Sequence, residues 1–170
     1  CVWIPNSEVA QEFINSIEDG GWEEVMKAIN ASDKLLQATI HGDEQAVAEL
    51  IDKAHSENTS ILKYNDENSL SCVISIAYYS AKRTYTVERE LPAGKGYADL
   101  VFKPRRNNSN PAMIVELKYN KSAESTIQQI KDKNYPDCLK DYSGEVLLVG
   151  ISYDDNKRHC CRIEKIVCQK

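Results

Sequence analysis

Cysteines spaced for a metal are missing from this sequence. The six stand at positions 1, 72, 138, 160, 161 and 168, and no pair has the C-x-x-C interval. That spacing excludes a structural zinc site of the usual kind. Adjacent Cys160 and Cys161 would face opposite sides of a strand. Reduced, structural cysteines in a cytoplasmic protein are therefore expected. Long apolar runs are missing too: none approaches the ~18 residues that a membrane span needs, so no membrane partner is expected. No basic-then-apolar leader opens the chain, which argues against secretion. It begins at Cys1 rather than methionine, so a piece of a longer protein is expected. A phosphate-cradling loop is also lacking. "PAGKGY" looks suggestive, but a P-loop needs G-x-x-x-x-G-K-[ST] opening a helix. Here Arg89 and Gly96 occupy two of the defining positions and a strand follows, so a hairpin turn is the better account. His41 and His55 lie near predicted helix ends, where they can cap carbonyls or meet solvent. No catalytic role is expected of either.

An excess of positive charge is absent as well, the net being −5. The two parts of the chain differ, however. Residues 1–66 carry 13 acids and 4 bases, giving −9; residues 67–170 carry 13 acids and 17 bases, giving +4. An acidic helical arm joined to a mildly basic domain is the implied layout. At 42% hydrophobic and 28% charged, the 170 residues suffice for one ordinary domain with a core.

Residues 7–57 show helical periodicity: "NSEVAQEFINSIEDGG", then "WEEVMKAINAS" and "SDKLLQATIHG" as two short helices, then "DEQAVAELIDKAH" with Val47, Leu50, Ile51 and Ala54 on one stripe. From residue 66 the pattern changes. "DENSLSCVISIAYYSAKR" is an amphipathic helix carrying Leu70, Ile74, Ala77 and Ala81 on one face. "TYTVEREL", "YADLVFKP" and "AMIVELKY" read as strands, "SAESTIQQIKDKN" as a helix, and "GEVLLVGISY" and "RHCCRIEKIVC" as a buried and an edge strand. The order predicts an α/β fold, a mixed sheet flanked by helices. The arm would span residues 1–58 and the sheet domain residues 59–170.

Two of those strands contain charges where apolar residues belong. Alternation puts Ala112, Ile114, Glu116 and Lys118 on one face of the second, and sets Tyr97, Asp99 and Val101 opposite Ala98, Leu100 and Phe102 in the first. If the strands pair, Asp99 lies beside Glu116. Two close carboxylates repel unless a cation or a proton sits between them. A solvated face with a Glu–Lys pair is the plainer alternative. Against it, both strands are otherwise apolar on both faces, which implies a covered sheet. Glu67 also points inward on the stripe of Leu70 and Ile74, although a helix first turn favours a negative charge for its dipole alone. Carboxylates beside a lysine suit a hard divalent cation such as Mg²⁺ or Mn²⁺. Such an ion neutralises charge on a phosphate oxygen and acidifies water, while the lysine stabilises developing charge.

The set Asp99, Glu116 and Lys118, spaced D-x(16)-E-x-K, resembles the core motif of the PD-(D/E)XK nuclease superfamily, whose αβββαβ core matches the order above. The blocks "YNDENSLSCVISIAYYSA", "ERELPAGKGYADLVFKP", "PAMIVELKYNKSAESTIQQIKDKNYP" and "LLVGISYD" resemble more specifically the nuclease-like domain found C-terminal to AAA-type ATPase domains in bacterial proteins. That resemblance covers roughly residues 59–167, and "VWIPNSEVAQEF" is similar to the junction after the ATPase part. It implies a restriction-endonuclease-like fold and metal-dependent hydrolysis of DNA or RNA under control of an attached ATPase. By position, it makes Asp99 and Glu116 metal ligands, the Leu117 carbonyl a further one, Lys118 the catalytic lysine, Glu67 an additional acid near the metal, and Gln129 an active-site glutamine. Helical geometry alone leaves Gln128 and Gln129 equivalent, on the shoulders of the Ala123, Ile127, Ile130 face. Ala98 stands where the motif has its proline, which removes no ligand. Lys95, Lys103, Arg105 and Arg106 would flank the site as phosphate contacts or are simply basic loops on a soluble surface, whereas Lys131 and Lys133 read as solvated helix residues. The rival reading is a noncatalytic module for nucleic acid or a protein partner, which the weak positive charge favours. Many such nucleases pair, so a homodimer stays open.

Overall fold

The computed structural model describes residues 21–58, 74–93, 96–135, 139, 142–154 and 158–168, with side chains from residue 26 to 56 in the first segment. The helix expected over 7–20, and both Glu67 and Lys95, lie outside the described residues.

Helices α1 (Gly21–His41) and α2 (Glu44–Asn58) precede a helical turn at residues 74–77 that tightens into a 3-10 helix at Tyr79–Arg83. Then come β1 (Tyr85–Ala93), β2 (Gly96–Pro104), β3 (Ala112–Tyr119), α3 (Ala123–Asp132), β4 (Gly144–Tyr153) and β5 (His159–Cys168). The five strands form one sheet in the order β1-β2-β3-β4-β5. Every pair is antiparallel except β3–β4, which is parallel and connected through α3. The fold is thus the mixed α/β arrangement expected, helix then three strands, helix, two strands.

The sheet is covered on both faces. On one, Leu100, Phe102, Met113, Val115, Leu117, Leu147, Val149 and Ile151 pack against Leu35, Leu36, Val47, Ile51, Ile74 and Ala81. On the other, Val101, Ala112, Ile114, Val146 and Leu148 pack against Ile127, Ile130 and Tyr135. Strands β3 and β4 are therefore apolar in both directions, as a central parallel pair requires. The helices assigned to an arm share the first core with the sheet. Among the described residues no helix is long and apolar enough to cross a membrane.

The break expected in α1 near Ser32 does not occur. No glycine or proline interrupts the region, and the two polar residues on its inner face find partners. Buried Ser32 donates to Ser80 Oγ at 3.0 Å and accepts from Ser80 N at 2.9 Å. Thr39 donates to the Leu35 carbonyl and lies 2.6 Å from the Tyr78 hydroxyl. Helix α2 starts where Asp43 Oδ1 accepts from Ala46 N at 3.0 Å, satisfying one of the first-turn N–H groups. Asp43→Ala should accordingly cost about 1 kcal/mol in a denaturant melt.

His41 bonds the Gln37 carbonyl at 2.7 Å, as a helix-end histidine can. His55 differs from expectation. It is buried, with its ring 4.7 Å from Tyr153 and 5.2 Å from His159, because residue 55 extends the Val47, Ile51 spacing by another four positions. His159 is tied to α2 through Asp52 Oδ1, which meets its Nδ1 at 2.6 Å and its backbone N at 3.0 Å. Cys160, Cys161 and Cys168 carry free thiols.

Candidate active site

Strands β2 and β3 pair over Leu100↔Val115, Val101↔Ile114 and Phe102↔Met113. One further step of that register sets Asp99 opposite Glu116, but the ladder has ended there. Instead of a backbone carbonyl, Asp99 Oδ2 accepts from Leu117 N at 2.7 Å. The two strands fork, and a carboxylate closes the fork.

Strand β1 explains why the fork opens at this residue. Its pairing with β2 keeps one register from Tyr85↔Pro104 to Ala93↔Gly96, but Glu90, opposite Asp99, is passed over. Glu90 has φ +48°, a left-handed conformation that costs a non-glycine residue about 1–2 kcal/mol. On either side of it the faces exchange. Val87, Leu100 and Phe102 belong to the core under α1 and α2, whereas Leu91, Ala93 and Ala98 join the core under α3. The expected grouping of Ala98 with Leu100 and Phe102 is thus overturned. Strict alternation fails because the ribbon rotates at Glu90 and Asp99, a local kink of the kind that re-aims side chains beside active sites.

Glu116 extends from β3 on the side of Ile114 and is 1% exposed. Lys118 Nζ lies 3.3 Å from Glu116 Oε1, and its side chain is itself nearly buried. Gln129 Nε2 donates to the same oxygen. Glu116 Oε2 is buried with no hydrogen-bond partner, which a native interior rarely tolerates without a reason. Burial pushes the Glu116 carboxyl up to about 7. The neighbouring Asp99 charge adds to the rise, while Lys118 and then Lys133 oppose it.

Gln129 is held by α3. Ser122 caps that helix by accepting from Ser125 N at 3.1 Å, and Ala123, Thr126, Ile127 and Ile130 are buried. The helix lies close on β4 because residue 150 is glycine: a Cβ there would stand 2.7 Å from the Ala123 carbonyl oxygen. Gly150 pairs with Glu116 across β3–β4, so the close approach brings α3 to the level of the carboxylate. Gln128 is exposed and bonds Asp132 at 2.7 Å, whereas Gln129 faces the site. Asn134, at φ +54°, stops the helix in a left-handed turn. The chain then returns so that buried Tyr135 sets its hydroxyl 3.5 Å from Gln129 Nε2.

Two residues here were not singled out from the sequence as part of a site. One is Tyr135. The other is Lys133, read as solvated but only partly exposed, with its stem against Gly96 and its ammonium 5.8 Å from the Tyr135 ring centroid. The available signal was spacing, since Gln129 and Lys133 are four apart on one helix face. Lys131 does point outward, to Glu164 at 2.6 Å. Of the basic residues expected to flank the site, the three described ones, Lys103, Arg105 and Arg106, stand elsewhere. Lys103 is four strand residues from Asp99, about 13 Å along β2, and pairs with Glu88 at 3.1 Å. Arg105 lies farther on and bonds the Tyr85 carbonyl at 3.1 Å. Arg106, beyond β2, is exposed.

Among the described residues no three His, Cys, Asp or Glu side chains gather in a metal-binding group. What converges is Asp99 and Glu116, with Leu117 between Glu116 and Lys118. A buried, unpartnered carboxylate oxygen beside a second carboxylate fits a hard divalent ion, which takes oxygen ligands and keeps waters in its remaining positions. No curated protein is found to match the sequence. The family model of the PD-(D/E)XK nuclease superfamily matches residues 65–163, more than half of the chain, and with αβββαβ order and the D…E-x-K residues meeting at the β2–β3 fork, the chain belongs to that superfamily.

Proposed function

We propose that this chain is a metal-dependent nuclease domain that hydrolyses phosphodiester bonds of DNA or RNA, cytoplasmic, and controlled by an ATPase region of a longer protein. The observation that carries the reading is the buried Glu116 carboxylate, with one oxygen bound by Lys118 and Gln129 and the other left without a partner beside Asp99. Asp99 and Glu116, with the Leu117 carbonyl and Glu67, would hold Mg²⁺ or Mn²⁺. When bound, such an ion supplies charge neutralisation at a phosphate oxygen and acidified water.

The chain's own groups do the rest. Lys118, nearly dehydrated, offers a fixed positive charge where negative charge grows as water adds to phosphorus and the P–O bond to the leaving oxygen breaks. Its low exposure strengthens that interaction relative to water. Gln129 fixes the Glu116 carboxylate by donating to Oε1, leaving Oε2 turned elsewhere, and is a positioning residue. The ATPase association rests on the resemblance of the sequence blocks, and the cytoplasmic setting on the free thiols of Cys160, Cys161 and Cys168.

The test is incubation with labelled single- and double-stranded DNA and RNA in Mg²⁺ or Mn²⁺. The unsubstituted protein should cleave, and Lys118→Ala and Asp99→Asn should each lose about 10²–10³-fold in rate. Equal background in all three proteins would leave the noncatalytic binding module, a reading that the commitment of Lys103 and Arg105 to structural contacts favours.

A further inference from the structure

Lys133 is the C-cap of α3, and the helix end, its left-handed turn at Asn134 and buried Tyr135 fix the backbone on both sides of it. Its stem lies against the backbone of Gly96, with Cδ 3.1 Å from where a Cβ on that glycine would stand. A side chain on residue 96 would occupy this path. The ammonium then sits near the face of the Tyr135 ring, whose hydroxyl is beside Gln129 Nε2, and Gln129 in turn holds Glu116. Its charge reaches Glu116.

Among the described residues Lys118 is matched by Glu116, Lys131 by Glu164 and Lys103 by Glu88. Among the described residues Lys133 has no carboxylate within ion-pair distance. A lysine at a helix C-terminus interacts favourably with the dipole wherever its side chain points. The dipole does not account for a stem laid against the backbone of Gly96 and an ammonium at the Tyr135 ring. A partly exposed ammonium with no carboxylate partner among the described residues, beside a site for phosphodiesters, matches one ligand chemistry: a phosphate.

We propose that Lys133 binds a phosphate of the nucleic-acid substrate, approaching the site from the end of α3 while Lys118 approaches along β3. This assignment rests on the nuclease reading and adds to it a second cationic contact, one that fixes the substrate's position. Lysine meets phosphate as a point charge, so the contact releases a counterion and carries no sequence preference.

The test is equilibrium binding of fluorescein-labelled DNA and RNA oligonucleotides, single-stranded and duplex, between 50 and 200 mM salt. Ca²⁺ replaces Mg²⁺ to suppress cleavage. The variants are Lys133→Met, which keeps the stem over Gly96, Lys133→Arg, which keeps the charge, and Lys131→Met on the outer face as control. Lys133→Met should weaken binding roughly tenfold. The slope of log K against log salt should become shallower by about 0.7 on the single strand or about 0.9 on the duplex. Lys133→Arg should keep the slope, and Lys131→Met should leave affinity and slope unchanged. In steady-state cleavage with Mg²⁺, Lys133→Met should raise KM more than it lowers kcat. A Lys133→Met slope equal to that of the unsubstituted protein overturns the assignment and leaves the nuclease reading standing. Failure of the unsubstituted protein to bind any of these DNA or RNA oligonucleotides overturns both.

Discussion

Glu116→Gln should raise the stability of the metal-free protein at pH 8 while abolishing cleavage. The carboxyl at 116 is almost fully buried, and burial together with the Asp99 charge lifts it to about 7 from an ordinary 4.5. Between those two values the folded state holds a proton that the unfolded state has lost. Stability therefore falls as pH rises through this window, and the loss is complete above about 7. At roughly 1.4 kcal/mol per pH unit the deficit is on the order of 3–4 kcal/mol. Glutamine has nearly the same shape, carries no charge, and can still accept from Lys118 and Gln129. The variant should melt roughly 5–10 °C above the unsubstituted protein at pH 8, and the gap should close as pH falls toward 4.5. Mg²⁺ should raise the melting temperature of the unsubstituted protein and leave the variant unmoved, since only a ligand of the folded state stabilises it. A variant no more stable at pH 8, or a gap that ignores pH, would refute the assignment of Glu116 as a charge buried at a cost.

A second large effect is expected at Gly150, where no chemistry occurs. A methyl added there meets the Ala123 carbonyl oxygen at 2.7 Å, Thr126 Cβ at 3.1 Å and Ile127 Cγ1 at 3.2 Å. The first of these is backbone, which cannot rotate away, so the whole helix must lift. Gly150→Ala should cost about 1–3 kcal/mol and Gly150→Val more. Because Glu116 pairs with Gly150, lifting α3 also withdraws Gln129 from the carboxylate. Urea melts and cleavage should then decline together on substitution of a residue that itself takes no part in the reaction. A valine variant that melts with the unsubstituted protein would show that α3 is not seated as described.

Strands β3 and β4 were legible to the residue, because long apolar runs bounded by Asn, Pro and Gly admit few other readings. Asp99 beside Glu116 followed only on the condition that the two strands pair, since alternation fixes faces and not register. Three features were not legible, each for a physical reason. The continuity of α1 depends on Ser32 and Thr39 finding Ser80 and Tyr78, partners some 40–50 positions away. The face exchange at Ala98 depends on a left-handed Glu90, a backbone state that no side-chain pattern encodes. The inward turn of Lys133 and Tyr135 depends on how Asn134 ends α3 and on the bare backbone of Gly96. The role of Gly150 is legible in principle, since a glycine inside an apolar strand often marks close approach of another element.

The carboxylate that replaces a carbonyl opposite Leu117 makes Asp99 a carpenter's joint as well as a chemical group. An alanine there would unfasten the hairpin tip from β3 and remove the anion at one stroke, so a dead enzyme would teach nothing about which loss killed it. Asparagine keeps an oxygen for the amide and discards only the charge, which makes it the informative replacement.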